Sequence, residues 1–164
     1  MFNALEKSTL DQIDLKILDL LQQDSAQSLA DLAERVGLSS SPCWRRIQKL
    51  EADGVIRRRV ALLDAAALGL GLTVFVNLRT LRHDADWLDA FTRTVTAIPE
   101  VVEVNRLAGT WDYLLRVVIP DMTAYDAFYK KLIAVEGLGD VTSSFSMEQI
   151  KYTTALPLSL AEVG

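Results

Sequence analysis

The stretch SLADLAERVGLSSSPCWRRIQKLEADG, Ser28 to Gly54, leaves a chain little freedom. Ser28 is placed to cap a helix, with Asp31 three residues on in a capping-box-like arrangement. Leu29, Leu32, Ala33 and Val36 then recur at helical spacing until Gly37 stops the run. Ser39 to Ser41 supply an N-cap for a second helix, with Pro42 expected at its first position. That helix runs to about Asp53, and Gly54 ends it as a left-handed C-cap. Two amphipathic helices so close together cannot lie in line; they must pack across one another as a helix-turn-helix.

The flanks complete a small domain. LDQIDLKILDLL places Leu10, Ile13, Ile17, Leu20 and Leu21 on one helical face, with Asp11 and Asp14 in the first turn. After Gly54, Val55 and Ile56 read as one short strand, and Val60, Leu62 and Leu63 as another. Residues 1–60 therefore read as a winged helix-turn-helix domain, and 61–70 as a linker through LGLG. Residues 71–164 follow a different pattern. LTVFVNLRTL is a strand, DADWLDAFTRTVTAI a helix, and VVEVNRL and YLLRVVI two strands about the loop AGTWD. TAYDAFYKKLIAV is a helix and VTSSFSMEQI a last strand. The order βαββαβ is that of ferredoxin-like folds, so the fold class is α+β. Helices in such a fold cover one sheet face. Leu72 to Leu78 and Leu114 to Ile119 are apolar on both alternations, so the other face needs a cover, most simply a second copy.

Charge is divided unevenly. The chain carries a net charge of −5, yet between Arg35 and Arg59 it gathers seven cations against Glu51 and Asp53. A solvated helix face followed by a charged strand would account for this blandly. A nucleic-acid interface accounts for more. On the third helix Cys43, Ile47 and Leu50 fall toward the core, while Ser41, Trp44, Arg45, Gln48 and Lys49 fall largely on the other side. Arg and Gln read base edges bidentately, and Ser hydroxyls with helix-terminal N–H groups suit a phosphate. Arg57, Arg58 and Arg59 lie where a wing would flank the groove. The candidate DNA-binding residues are Ser28, Ser39, Ser40, Ser41, Trp44, Arg45, Arg46, Gln48, Lys49, Arg57, Arg58 and Arg59, and the partner is double-stranded DNA.

Other classes find less support. One cysteine and one histidine preclude a Cys/His metal cluster or an intramolecular disulfide, and neither metal nor cofactor is expected. The longest apolar run, Ala65 to Val76, is too short to span a bilayer. MFNALEKSTLDQ has no basic start leading into an apolar stretch, so a cytoplasmic protein without a secretion signal is expected. No Walker-type loop or G-x-G-x-x-G fingerprint is present. An amino-acid-binding ferredoxin-like enzyme or an adaptor without DNA binding is the alternative, and it leaves the basic helix unexplained. Cys43 reads as a small buried hydrophobe rather than a redox switch, and His83 as a surface loop residue.

The segments LDQIDLKILDLLQQD, SLADLAERVGLSSSPCWRRIQKLEADGVI and VALLDAAALGLGL resemble the N-terminal half of the Lrp/AsnC family of transcription regulators. LAGTWDYLLRVVIPDMTAYDAFY and DVTSSFSMEQIKYTT resemble its C-terminal, amino-acid-sensing half. The resemblance implies DNA-binding helices within residues 28–47, dimerisation through the C-terminal domain, and assembly of dimers up to octamers. The wording SSSPCWRRIQKLEADGVI and DVTSSFSMEQIKYTTALPL is most similar to a bacterial subgroup that senses cysteine and activates cysteine detoxification, with regulators answering other amino acids as the alternative.

It also implies an effector site between C-terminal domains, carried on two stretches. One is Gly109, Thr110, Trp111, Asp112 and Tyr113. Gly109 allows close backbone approach, and Asp112 could meet a ligand ammonium or merely serve the turn. Trp111 could face the ligand or an interface. The other stretch is Thr142, Ser143, Ser144 and Phe145, whose hydroxyls could line a polar pocket or keep an edge strand polar.

Overall fold

The computed structural model describes residues 10–161; the segment inspected for a leader lies largely outside them. The described residues form two compact units. One runs to Ala61 and also takes in the chain from Lys151 onward, and the other is Leu62–Ile150.

The first unit is built on three helices, α1 (Gln12–Gln23), α2 (Leu29–Val36) and α3 (Ser40–Ala52). A reciprocal capping box starts α1: the Asp11 carboxylate accepts from the Ile13 and Asp14 amides, and Asp14 accepts from the Asp11 amide. Ser28 caps α2 by accepting from the Asp31 amide, and its hydroxyl donates to the Asp31 carboxylate. Gly37, at φ +74°, turns the chain out of α2 and into α3 within three residues. Ile17, Leu32, Ala33, Val36, Cys43, Ile47 and Leu50 form the core. Each of the larger aliphatics contributes about 1.5–3 kcal/mol on burial.

Two local expectations change. Pro42 occupies the third position of α3, not the first, because Ser39 is the N-cap. It is tolerated there because first-turn amides have no intrahelical acceptor. The two strands of the expected wing do not form: residues 57–64 carry no regular structure, and Leu62 and Leu63 are exposed. Three successive arginines with no turn-forming residue among them make a poor hairpin, and an isolated two-stranded ribbon is marginal.

The second unit contains β1 (Leu72–Thr80), α4 (Ala85–Thr96), β2 (Val101–Arg106), β3 (Tyr113–Ile119), α5 (Met122–Ile133) and β4 (Leu138–Phe145). The antiparallel sheet has the order β2-β3-β1-β4, which is the expected ferredoxin-like α+β architecture. Val74, Val76 and Leu78 of β1 and Leu115, Val117 and Ile119 of β3 are fully buried beneath Phe91, Val95, Phe128 and Leu132 of the helices. Trp87 stacks on Phe91 and donates its indole N–H to the Glu136 carbonyl at 2.6 Å. Gly137, at φ +82°, makes room for that indole, since a Cβ there would lie 2.6 Å from its nitrogen.

The last strand begins three residues before its expected start and ends at Phe145, not Ile150. Its serines have low strand propensity, and pairing with β1 overrides this. The tail was expected to belong to the second domain. Residues 151–161 instead join the first unit, where the Gln22 side chain donates to the Leu156 carbonyl and accepts from its amide.

Candidate DNA-binding surface and ligand site

On α3 the buried residues Cys43, Ile47 and Leu50 recur every three or four positions, which turns the intervening positions outward. Ser40, Ser41, Trp44, Arg45, Gln48 and Lys49 are all exposed, with Trp44 at 51 %. Ser39 and Ser28 are exposed at the N-caps of α3 and α2. Ser39 makes no side-chain capping bond, so the amides of the first turn of α3 face outward without it. Gln48 donates to Glu51 at 2.9 Å, and Arg59 reaches the other oxygen of the same carboxylate at 2.9 Å. Among the described residues Arg45, Lys49, Arg57 and Arg58 enter no ion pair. Four uncommitted cations flanking an exposed Trp and Gln can neutralise phosphates and reach base edges. Burial pushes the Cys43 thiol up, as suits a packed and unreactive sulfur.

Arg46 has another task. Its Nη1 donates to Asp11 at 2.7 Å and to Asp14 at 2.8 Å, joining α3 to the capping box of α1. These bonds raise the guanidinium, Asp14 contributing most, and Asp11 is held below its ordinary range by the Asp14 amide and then by Arg46. At the third position after Cys43, helical periodicity carries Arg46 to the flank of the core, half-buried.

In the second unit the loop AGTWD is tied at both ends. The Leu107 amide donates to the Asp112 carbonyl at 2.8 Å, and the Asp112 amide to the Leu78 carbonyl at 2.9 Å. The Asp112 carboxylate accepts from the Thr80 amide at 2.8 Å, so one oxygen closes the end of β1 and does not serve its own turn. Gly109, at φ +156°, and Thr110 are exposed at the tip, and Trp111 is half-buried. Tyr113 is not part of an open site. It is 6 % exposed, 4.6 Å from Phe91 between ring centroids, and burial raises its hydroxyl.

The register divides the second stretch. Thr142 and Ser144 pair with Asn77 and Phe75 on the open face. Ser143 and Phe145 pair with buried Val76 and Val74 on the helix face. Ser143 bonds the Tyr125 hydroxyl at 2.6 Å, and Phe145 packs edge-on against the Tyr125 ring. The open face therefore carries Thr142 and Ser144, and Ser143 turns to the helices. β4 is also an edge strand, so its polar residues serve that position too.

One residue escaped the sequence reading. Arg79, the single charge in LTVFVNLRT, donates its Nε to the Thr110 carbonyl at 2.8 Å, lies 5.8 Å from the Trp111 ring centroid, and faces Asp140 of β4 at 3.8 Å. A lone cation on the open alternation of an apolar strand was its signal. Two open clefts lie elsewhere. One of about 450 Å³ is lined by Arg82, Trp87, Lys131 and Glu136, and another of about 460 Å³ runs between α1 and the tail. His83 is exposed between β1 and α4. Among the described residues no helix is long and apolar enough to cross a membrane.

Comparison with known proteins recovers the same two parts, with residues 151–156 counted in the second, as the sequence had suggested. Residues 10–57 match the winged helix-turn-helix DNA-binding domain, and residues 73–156 match the Lrp/AsnC ligand binding domain. The DNA-binding transcriptional activator DecR of Escherichia coli is 55 % identical over 150 residues, which is 91 % of this chain and 99 % of that protein. The glutamate uptake regulatory protein of Zymomonas mobilis is 53 % identical, covering 91 % of each. An AsnC family transcriptional regulator from Agrobacterium tumefaciens superposes with a TM-score of 0.88 at 59 % identity, over 92 % of this chain and 98 % of that one. A Neisseria meningitidis regulator in complex with L-Met does so with a TM-score of 0.87 at 40 % identity, over 92 % and 97 %. With both of its units matched in order, the chain belongs to the Lrp/AsnC family of DNA-binding transcriptional regulators.

Proposed function

We propose that the chain is a cytoplasmic regulator that places α3 in the major groove and answers a small amino acid bound at the open-face end of the second unit. The exposed row Ser41, Trp44, Arg45, Gln48 and Lys49 on a helix locked from behind by Cys43, Ile47 and Leu50 carries this reading. Arg45 and Gln48 are the base-reading candidates. Lys49, Arg57 and Arg58, with the serines at the start of α3, contact phosphates. Arg59 joins them if its pair with Glu51 yields to a phosphate.

The effector site combines Gly109, Thr110, Trp111 and Asp112 with Thr142 and Ser144. Asp112 Oδ1, the oxygen not bonded to Thr80, faces the ligand ammonium. Cysteine is the favoured effector, from the likeness of DVTSSFSMEQIKYTTALPL to the cysteine-sensing subgroup. Methionine and glutamate are the competitors, from the relatives named for them. The chain acts as a dimer or larger assembly, because the open sheet face leaves Phe75 37 % exposed beside Leu114 and Val118.

The test selects a preferred duplex from a random-sequence pool, then titrates it with and without each amino acid. One amino acid should shift the affinity for that duplex, and only by its differential affinity for the two states. Failure to enrich any sequence would refute specific recognition. Enrichment with no amino-acid effect would leave the DNA reading standing and remove the sensing one.

A further inference from the structure

We propose that Arg79 takes the α-carboxylate of the amino-acid effector, displacing Asp140. The inference rests on the amino-acid reading above. Arg79 stands on the open face near the end of β1, between the AGTWD loop and β4. Its Nε bond to the Thr110 carbonyl fixes the guanidinium beside the loop and leaves both η nitrogens for another partner. The Trp111 ring, 5.8 Å away, adds a cation–π contact to that placement.

What now holds the η edge is weak. Nη1 is 3.8 Å from Asp140 Oδ2, beyond hydrogen-bond distance, and the side chains are 51 % and 70 % exposed. A carboxylate docking on the guanidinium fork makes two parallel charge-assisted bonds and replaces that pair without loss. A free α-amino acid carries its ammonium beside the carboxylate. Asp112, fixed through Thr80 to the residue following Arg79, supplies the matching anion. The two ends of the zwitterion are thus met by Arg79 on β1 and by Asp112 of the loop tied to the next residue of that strand, and the side chain is left to the surroundings of Trp111.

The experiment is a ligand-by-protein cycle on the full chain by calorimetry. It compares L-cysteine, L-methionine, L-leucine and L-glutamate with their α-carboxamides, in wild type, Arg79→Met and Asp140→Asn. For whichever amino acid binds, wild type should prefer the acid over the amide by about tenfold to a hundredfold, and Arg79→Met should erase that preference. Asp140→Asn, which removes the competing anion, should tighten the acid by up to about fivefold. Acid and amide weakened together in Arg79→Met, with the preference kept, would make Arg79 only a strap on the loop and overturn the proposal. Weaker binding in Asp140→Asn would overturn the displacement. Binding of none of these four, nor of any other of the twenty amino acids, to wild type would refute the underlying amino-acid reading itself.

Discussion

Replacing Arg46 by Met separates the two tasks that a cation on α3 can have. The change keeps most of the aliphatic stem against the core and removes both bonds from Nη1. Exposed ion pairs contribute about 0.2–1 kcal/mol, and bonds to a charged partner away from water about 1.5–3. Side-chain exposure is 32 % for Arg46, 13 % for Asp14 and 50 % for Asp11, so the Asp14 bond belongs toward the upper range and the Asp11 bond in the lower. Together they come to about 2 kcal/mol, a factor of about 30 in a local opening equilibrium. Amide hydrogen exchange on the full chain resolves this region by region. The amides of Ile17 and Ile47 should exchange about 30-fold faster in Arg46→Met, while those of β1 and β3 keep wild-type rates. The salt slope of DNA binding should stay unchanged, whereas Lys49→Met or Arg57→Met should lower it by about one. Unchanged exchange together with a lowered slope would refute the structural role and return Arg46 to the DNA.

Three further outcomes follow from the same geometry. Gly137→Ala forces a Cβ to 2.6 Å from the Trp87 indole nitrogen at a φ that side chains rarely adopt. It should cost about 2 kcal/mol, read as a lower unfolding midpoint of the second unit by tryptophan fluorescence. Asp112→Ala orphans the Thr80 amide and should speed its exchange, whereas Asp112→Asn keeps an acceptor and holds it; both should lose the effector, measured by calorimetry. Asp11, whose folded pKa is depressed, contributes stability that is present above its unfolded value of about 3.9 and lost as pH falls through the folded value. Melting by circular dichroism should therefore show the α-helical unit weakening below about pH 4, with a smaller acid dependence in Arg46→Met.

The helices were legible because their ends are written in single residues: Asp11, Ser28, Gly37, Ser39 and Gly54 each punctuate where the backbone turns. The strands β1 and β3 were legible from their apolar runs. The start of β4 was displaced because Gly139 and Asp140 have low strand propensity and are held in the strand by the pairing of Leu138 and Val141 to β1, a tertiary effect. The wing strands were overread for the opposite reason, since Val60, Leu62 and Leu63 look strand-like and find no partner strand. Local charge also misled. Arg46 looked like its neighbour Arg45 until the fold brought Asp11 and Asp14, 35 and 32 residues away, to meet it. Tyr113 looked like part of its loop but opens the buried alternation of β3. Arg79 stood out only as a lone cation on an apolar strand, because its partners Thr110 and Asp140 come from two other segments.

The central claim is that the exposed row of α3 reads DNA sequence. Fluorescence anisotropy of wild type and Arg45→Ala on a selected duplex and on its scrambled counterpart, across a salt series, tests it most directly. The account predicts steep salt dependence on both duplexes. It also predicts a loss in Arg45→Ala of about 1–3 kcal/mol on the selected duplex that is absent on the scrambled one. Equal loss on both would make Arg45 a phosphate contact, and wild-type binding without preference for the selected duplex would contradict the claim itself.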